Sequence, residues 1–270
     1  MIKSVYAPAL NRSFKLGRTR PRARAPRLSL KNYLMRSLPA PPAAVDYSKA
    51  AYAGLHMILG NDATSDCTAA GIMHIEDIWR GNVSGASQPV SADEAIAFYS
   101  ASTGYVPGDS TTDQGGNEID VMNYAMQHGL FADGSGKIAG YVAINGADPD
   151  EVKTALWLFE NVYFGVEMPD RWINPIPTYD DWTWDVAGEP DMQNGHAFIG
   201  CAYDSAKVRI CSWGMTGFIT FEAIAKYATT PNSGELFAIL SKDAIDKASG
   251  KAPSGFDFTQ LSADLQALGG

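Results

Sequence analysis

The chain reads as an α+β protein in two lobes with an extended basic arm in front. Three observations predict this. Helical periods fill the first half of the globular part, and short apolar strands fill the second. One cysteine, Cys67, opens the first long helical run. The charge is split: of 21 Lys/Arg, ten precede Asp46, whereas none of the 30 Asp/Glu does. The net charge of −9 therefore hides a basic arm and a strongly acidic body.

At 270 residues and 46% hydrophobic, the chain can bury a substantial core. No apolar run approaches the roughly 20 residues that span a bilayer, and the basic N-terminus lacks the apolar stretch of a secretory signal. Cys67, Cys201 and Cys211 are too few and too scattered for a disulfide framework, so free thiols are expected.

Residues 1–38 form the arm. Arg18, Arg20, Arg22, Arg24 and Arg27 are interleaved with Pro21 and Pro26, which repel one another and block helix, respectively. The apolar residues show no period, so the arm is expected to lie extended on a protein partner within a larger assembly. A nucleic-acid partner is the less favoured reading, because aromatic residues for base stacking are sparse (Tyr6, Phe14, Tyr33). The arm is too short and too polar for an inhibitory pro-domain. Residues 39–44 are a proline-rich linker, 45–245 the main domain, and 246–270 a tail ending in an amphipathic helix, Phe258 to Leu268.

Within the domain, Ser65 or Asp66 is placed to cap a helix from Cys67 to Trp79, whose Ile72, Ile75, Ile78 and Trp79 form one apolar face. Ser91 and Glu94 make a capping box for a second helix to Ser102. Glu118 to His128 is a third helix, closed by Gly129, and Asp148 or Asp150 opens a fourth to Phe159. Strands are expected at Tyr141–Ile144, Val162–Val166, His196–Tyr203, Lys207–Trp213, Phe218–Phe221 and Leu236–Leu240, with a helix near Glu222–Tyr227. Residues 171–194, with Trp172, Trp182 and Trp184, read as a loop.

The candidate chemistry is that of a thiol. At the first turn of a helix the positive end of the dipole favours a thiolate at Cys67, the nucleophilic form. A thiol nucleophile needs a base, and His196 at the lip of a strand is the best placed of His56, His74, His128 and His196. His74, seven residues along the same helix, lies about 10 Å away. No spacing of Cys-x-x-Cys or His-Glu-x-x-His type is present, so neither a metal nor a cofactor is expected.

Several segments, in order, resemble the papain-like cysteine peptidases. Val45-Asp46-Tyr47 is similar to that family's mature start. Asn61, six before Cys67, stands where the family carries its oxyanion-hole Gln. Asp113-Gln114-Gly115-Gly116 resembles its Gly-Gly segment, Gly195-His196-Ala197 its base motif, and Cys211-Ser212-Trp213-Gly214 its Asn-Ser-Trp-Gly. The chain also looks like uncharacterised papain-like proteins of tailed bacteriophages. The resemblance implies a papain-like two-lobe fold in which Cys67 attacks a peptide or amide, His196 relays the proton and Asn61 donates to the oxyanion. Gly115, Gly116 and Trp213 would contact substrate. Cys211 replaces the Asn that orients the base, so Ser212, Asp185 or Asp191 is expected to substitute. The implied setting is a virion or the host cytoplasm. The alternative is a catalytically silent decoration or cementing protein that keeps the fold.

Overall fold

The computed structural model describes residues 3–22, 27–34, 39–241 and 257–269. At the start, β1 (Ser4–Ala7) and β2 (Arg12–Lys15) pair as an antiparallel hairpin. Eight further strands form one sheet: β3 (Val45–Asp46), β4 (Ile138–Ala143), β5 (Val162–Glu167), β6 (Trp182–Trp184), β7 (Gly195–Tyr203), β8 (Lys207–Ser212), β9 (Met215–Thr220) and β10 (Glu235–Ser241). Their order is β4-β10-β5-β7-β8-β9-β6, with β3 on β7, and only β6–β9 is parallel. The helices are α1 (Tyr52–Leu55), α2 (Cys67–Ser84), α3 (Ala92–Thr103), α4 (Glu118–His128), α5 (Pro149–Phe159), α6 (Asp170–Ile173), α7 (Phe221–Tyr227) and α8 (Phe258–Gly269). None of the described helices is long and apolar enough to cross a membrane.

Strand alternation sends neighbouring residues to opposite faces of the sheet, and each face carries its own apolar core. On β5, Val162, Phe164 and Val166 join one core and Tyr163 the other; on β10, Leu236 and Ala238 part from Phe237 and Ile239 in the same way. The second core takes α2, α3 and α4. The first takes α5, α7, α8 and the arm. The expected helical first half and β-rich second half are thus present as an α+β fold with two cores.

The helix led by Cys67 is more deeply set than one apolar face implies: 13 of its 18 residues are buried. Such a helix is held on all sides rather than lying on a surface. Its approach to the sheet depends on Gly71, where a Cβ would come within 2.8 Å of the Tyr163 ring. Tyr163 also donates to the Thr68 carbonyl at 2.8 Å. The capping box of Ser91 and Glu94 is present, Asp148 caps α5, and Gly85 and Gly104 close α2 and α3 with positive φ. The segment 171–194 is not all loop: Trp172 and Trp184 stack at 4.8 Å and Trp182–Trp184 forms the edge strand.

The arm departs from expectation. Its described residues pack on this chain's own body, not away from it. Ala7, Phe14, Leu16, Leu30 and Tyr33 are buried in the first core. Its cations reach body acids: Lys3 to Asp170, Arg12 to Asp62, Lys15 to Asp113 and Arg22 to Asp120. Periodicity could not reveal this, because an extended segment contributes its apolar residues singly. Phe14 and Leu16 turn inward while Lys15 turns to Asp113. Arg24, Pro26 and the whole of the tail before Asp257 fall outside the described residues.

Candidate active site

Cys67 is the first residue of α2 and is buried. Asp66 stands at the N-cap position, but its side chain makes no capping bond. It is turned inward beside Gly60, and burial pushes its pKa well up. Ser65 does not cap either; its N–H and Oγ both donate to Asp113, each at 3.0 Å. Asp113 also accepts from Tyr99 Oη and Lys15 Nζ, each at 2.8 Å. Burial works to raise Asp113, yet these donations outweigh it and hold the carboxyl below its ordinary range. Asp113 thus ties the 113–116 turn to the head of α2. In the sequence Asp113 shows only as part of a resemblance, because a partner set drawn from three remote segments leaves no local signal.

Hydrogen bonding from the backbone of Ala197 and Gly17 works to lower the Cys67 thiol and favours a thiolate. Burial is the larger effect, and the thiol is pushed up to about 12. The expected dipole-stabilised thiolate is therefore not the state of this arm-covered structure. A charge with no water beside it costs more than the helix terminus returns.

His196, on β7, is buried with its ring stacked on Trp213, centroids 4.3 Å apart. Nε2 lies 2.8 Å from Ser212 Oγ, and Nδ1 is buried with no hydrogen-bond partner. Burial pushes the imidazole down to about 3. Ser212 is brought to His196 because neighbouring residues of β8 face opposite ways. Cys211 consequently points into the other core, its Sγ donating to the Leu55 carbonyl at 3.1 Å. Asp185 and Asp191 bond elsewhere: Asp185 accepts from Thr220, and Asp191 from Gln193. Trp213 and Gly214 both have positive φ in the two-residue turn that closes β8 on β9 at Ser212 and Met215. Such a turn matches the twist of a hairpin, and here it folds the indole over the imidazole. Trp213 is buried, with Phe14 of the arm 5.6 Å away.

The arm, expected to be too short and too polar for an inhibitory pro-domain, nevertheless runs through this site, because an extended segment needs only backbone bonds and single side chains to fill it. Gly116 N–H donates to Gly17 O, Thr19 N–H to Gly116 O, and Arg18 N–H to Gly195 O, at 2.8, 2.8 and 3.2 Å. Gly115 has φ +74°, and a Cβ there would meet Gly17 O. What Gly115 and Gly116 face is residues 17–19 of the arm, lying between them and Gly195. Asn61 is buried, and its Nδ2 donates to Lys15 O at 3.2 Å and Thr64 O at 3.3 Å. An arm carbonyl thus occupies the amide that was expected to donate to an oxyanion. His74 lies inside α2 beside Asp77, and His128 ends α4, both away from these contacts. Among the described residues no group of three His, Cys, Asp or Glu could hold a metal ion.

Behind the cleft, Arg18 is buried against Glu118, Glu167 and Glu235. Burial raises all three carboxyls, Glu167 and Glu235 to about 7. A carboxyl raised in the folded state contributes stability that is fully present below about 4.5 and is lost as pH rises through about 7. His196 works the other way: its contribution, present above 6.5, is lost as pH falls toward 3. Three carboxyls outweigh one imidazole, so the melting temperature is expected to fall between about pH 5 and about pH 8. Glu235→Gln should flatten that slope. Thermal melts across the interval check it, and a melting temperature that rises with pH contradicts it.

No family model matches the chain, and no curated protein matches it. Solved structures do. Xylellain, a cysteine protease from Xylella fastidiosa, is similar over 89% of this chain and 98% of its own, with TM-score 0.59 and 15% identity. Digestive procathepsin L 3 of Tenebrio molitor larval midgut is similar over 82% and 76%, with TM-score 0.55 and 12% identity. The cysteine protease and lectin-like domains of Cwp84 from Clostridium difficile are similar over 78% and 54%, with TM-score 0.52 and 11% identity. Helices over a large, mainly antiparallel sheet, with a cysteine at the head of the central helix, are here the papain-like cysteine protease fold.

Proposed function

We propose that the chain is a thiol hydrolase acting on peptide or amide bonds, held closed by its own arm. The observation that carries this is that Arg18 N–H donates to Gly195 O, beside His196, while Gly17 lies against the Ser65 backbone at the head of α2, so Cys67 and His196 flank the same two arm residues. Cys67 would give its proton to His196 and attack the carbonyl carbon. The oxyanion would meet the Cys67 N–H and the Asn61 amide, once Lys15 O has left it. His196 would pass the proton to the leaving amine, giving a thioester that water then cleaves. Ser212 would hold the imidazole by Nε2, leaving Nδ1 for the thiol. In the closed state burial keeps both groups neutral; withdrawing the arm admits water and favours the thiolate–imidazolium pair.

The burial of Cys67 favours a second reading, a structural protein that keeps the fold without activity. Gly17 supplies part of that burial, so the two readings part on whether the arm can leave. Carriage on a virion is supported only by the resemblance to phage proteins; the described residues of the arm, which were to dock on a partner, pack on this chain. The test is mass spectrometry of the full-length chain with its arm displaced, quenched during turnover of an activated peptide ester. An acyl adduct on the Cys67 peptide is expected, and its absence while ester is consumed would remove Cys67 as nucleophile.

A further inference from the structure

Arg18 has no solvent-exposed side-chain surface, and neither do Glu118 and Glu235, while Glu167 has 1%. Each nitrogen of the guanidinium meets a different carboxylate. Nε meets Glu118, Nη1 lies 3.1 Å from Glu167 and Nη2 lies 3.1 Å from Glu235. The three acids come from the head of α4, the end of β5 and the start of β10, so the body builds this pocket and the arm only fills it. Its floor is Gly165, where a Cβ would collide with both Glu118 and the Arg18 Nε. Its mouth lies in the cleft, because the backbone of residues 17–19 is held between Gly116 and Gly195, with Gly17 against Ser65 at the head of α2.

An isolated buried ion pair is weak evidence for stability, since desolvation opposes it. Arg27 Nη2 also lies 2.7 Å from Glu235 and Arg20 Nε 3.9 Å from Glu167, but both of those arginines are partly exposed. Only Arg18 is itself buried among the three carboxylates, a costly way to pin an arm that also buries Phe14 and Leu16. Three acids around one planar fork do suit recognition. A guanidinium offers donors in fixed directions to all three, whereas a lysine ammonium brings a single nitrogen. A neutral side chain of the same shape would leave the carboxylates unpaired.

We propose that the Glu118–Glu167–Glu235 pocket is the specificity site of the cleft and takes an arginine side chain of a peptide substrate, with Arg18 as its occupant in the closed state. This rests on the hydrolase reading above and names its substrate class. The consequence is a preference for arginine over lysine, and for lysine over neutral residues.

The test uses the full chain carrying Gly17→Ala together with Arg18→Ala, which lifts the arm from the cleft and empties the pocket. Short fluorescent peptides of otherwise identical sequence carry arginine, lysine, citrulline or leucine, moved through each position. Binding is read by anisotropy and cleavage by chromatography. Arginine is expected to bind at least about tenfold tighter than lysine and about a hundredfold tighter than citrulline at one position only. Glu235→Gln should erase most of that difference. Equal binding of arginine, citrulline and leucine would overturn the proposal and make Arg18 a structural pin. Arginine-selective binding without cleavage would keep the pocket and overturn the hydrolase; cleavage without selectivity would do the reverse. If that double variant does not fold, Gly17→Ala alone keeps every charge and takes the same peptides, with the same outcomes.

Discussion

Gly17→Ala is expected to expel the arm from the cleft and uncover Cys67. A Cβ on residue 17 would lie 1.9 Å from the Ser65 carbonyl oxygen and 2.4 Å from its carbon. Both are backbone atoms at the head of α2, so they cannot swing aside as a side chain would. The substitution touches neither Cys67 nor His196, and it leaves each glutamate in place. Iodoacetamide should then alkylate Cys67 about a hundredfold faster than in the unaltered chain, a change worth about 3 kcal/mol of arm docking. Cys201 and Cys211 should stay slow, because the sheet buries them and burial raises both thiols, Cys201 to about 12. Mass spectrometry of the three cysteine peptides reads the result. Slow labelling of all three would mean that Cys67 is closed by its own core, and would favour the silent structural protein. Fast labelling of all three would mean that the chain has unfolded.

In that arm-displaced background, Cys67→Ala and His196→Ala should each lower peptide hydrolysis by about 10⁶-fold, as loss of the nucleophile or the base does in other nucleophile–base systems. The two losses should not add, because thiol and imidazole act as one unit. Ser212→Ala should cost less and act on kcat more than on KM, since Ser212 touches only the histidine, at 2.8 Å through Nε2. Ser212→Asn, which restores an amide partner, should recover part of that loss. Steady-state kinetics on one peptide resolve all four variants. Hydrolysis that survives Cys67→Ala would place the chemistry elsewhere in the chain.

Much of the fold was legible. The Ser91 capping box, the Asp148 cap and the Gly129 stop each lie within a few residues of what they act on, and each is present. The strands around Asp204-Ser205 were visible because alternation and turn chemistry are also local. Local cues misled where a distant group competed. Ser65 looks like an N-cap, but Asp113, 48 residues away, takes its N–H and hydroxyl. Cys67 looks like a thiolate, but burial under Gly17 and the sheet outweighs the helix terminus.

The order of helices and strands, the cysteine opening the central helix, and the opposition of a basic arm to an acidic body were determined by the sequence alone. These depend on spacing, caps and charge counts that need no third dimension. Only the tertiary structure decided where the arm lies, why Ser212 and not Cys211 meets His196, and that Glu118, Glu167 and Glu235 enclose one arginine. Those outcomes depend on which remote segments share one water-poor volume. Desolvation there sets the protonation and pairing of every charge, and residues 18, 118, 167 and 235 carry no trace of it in their sequence neighbours.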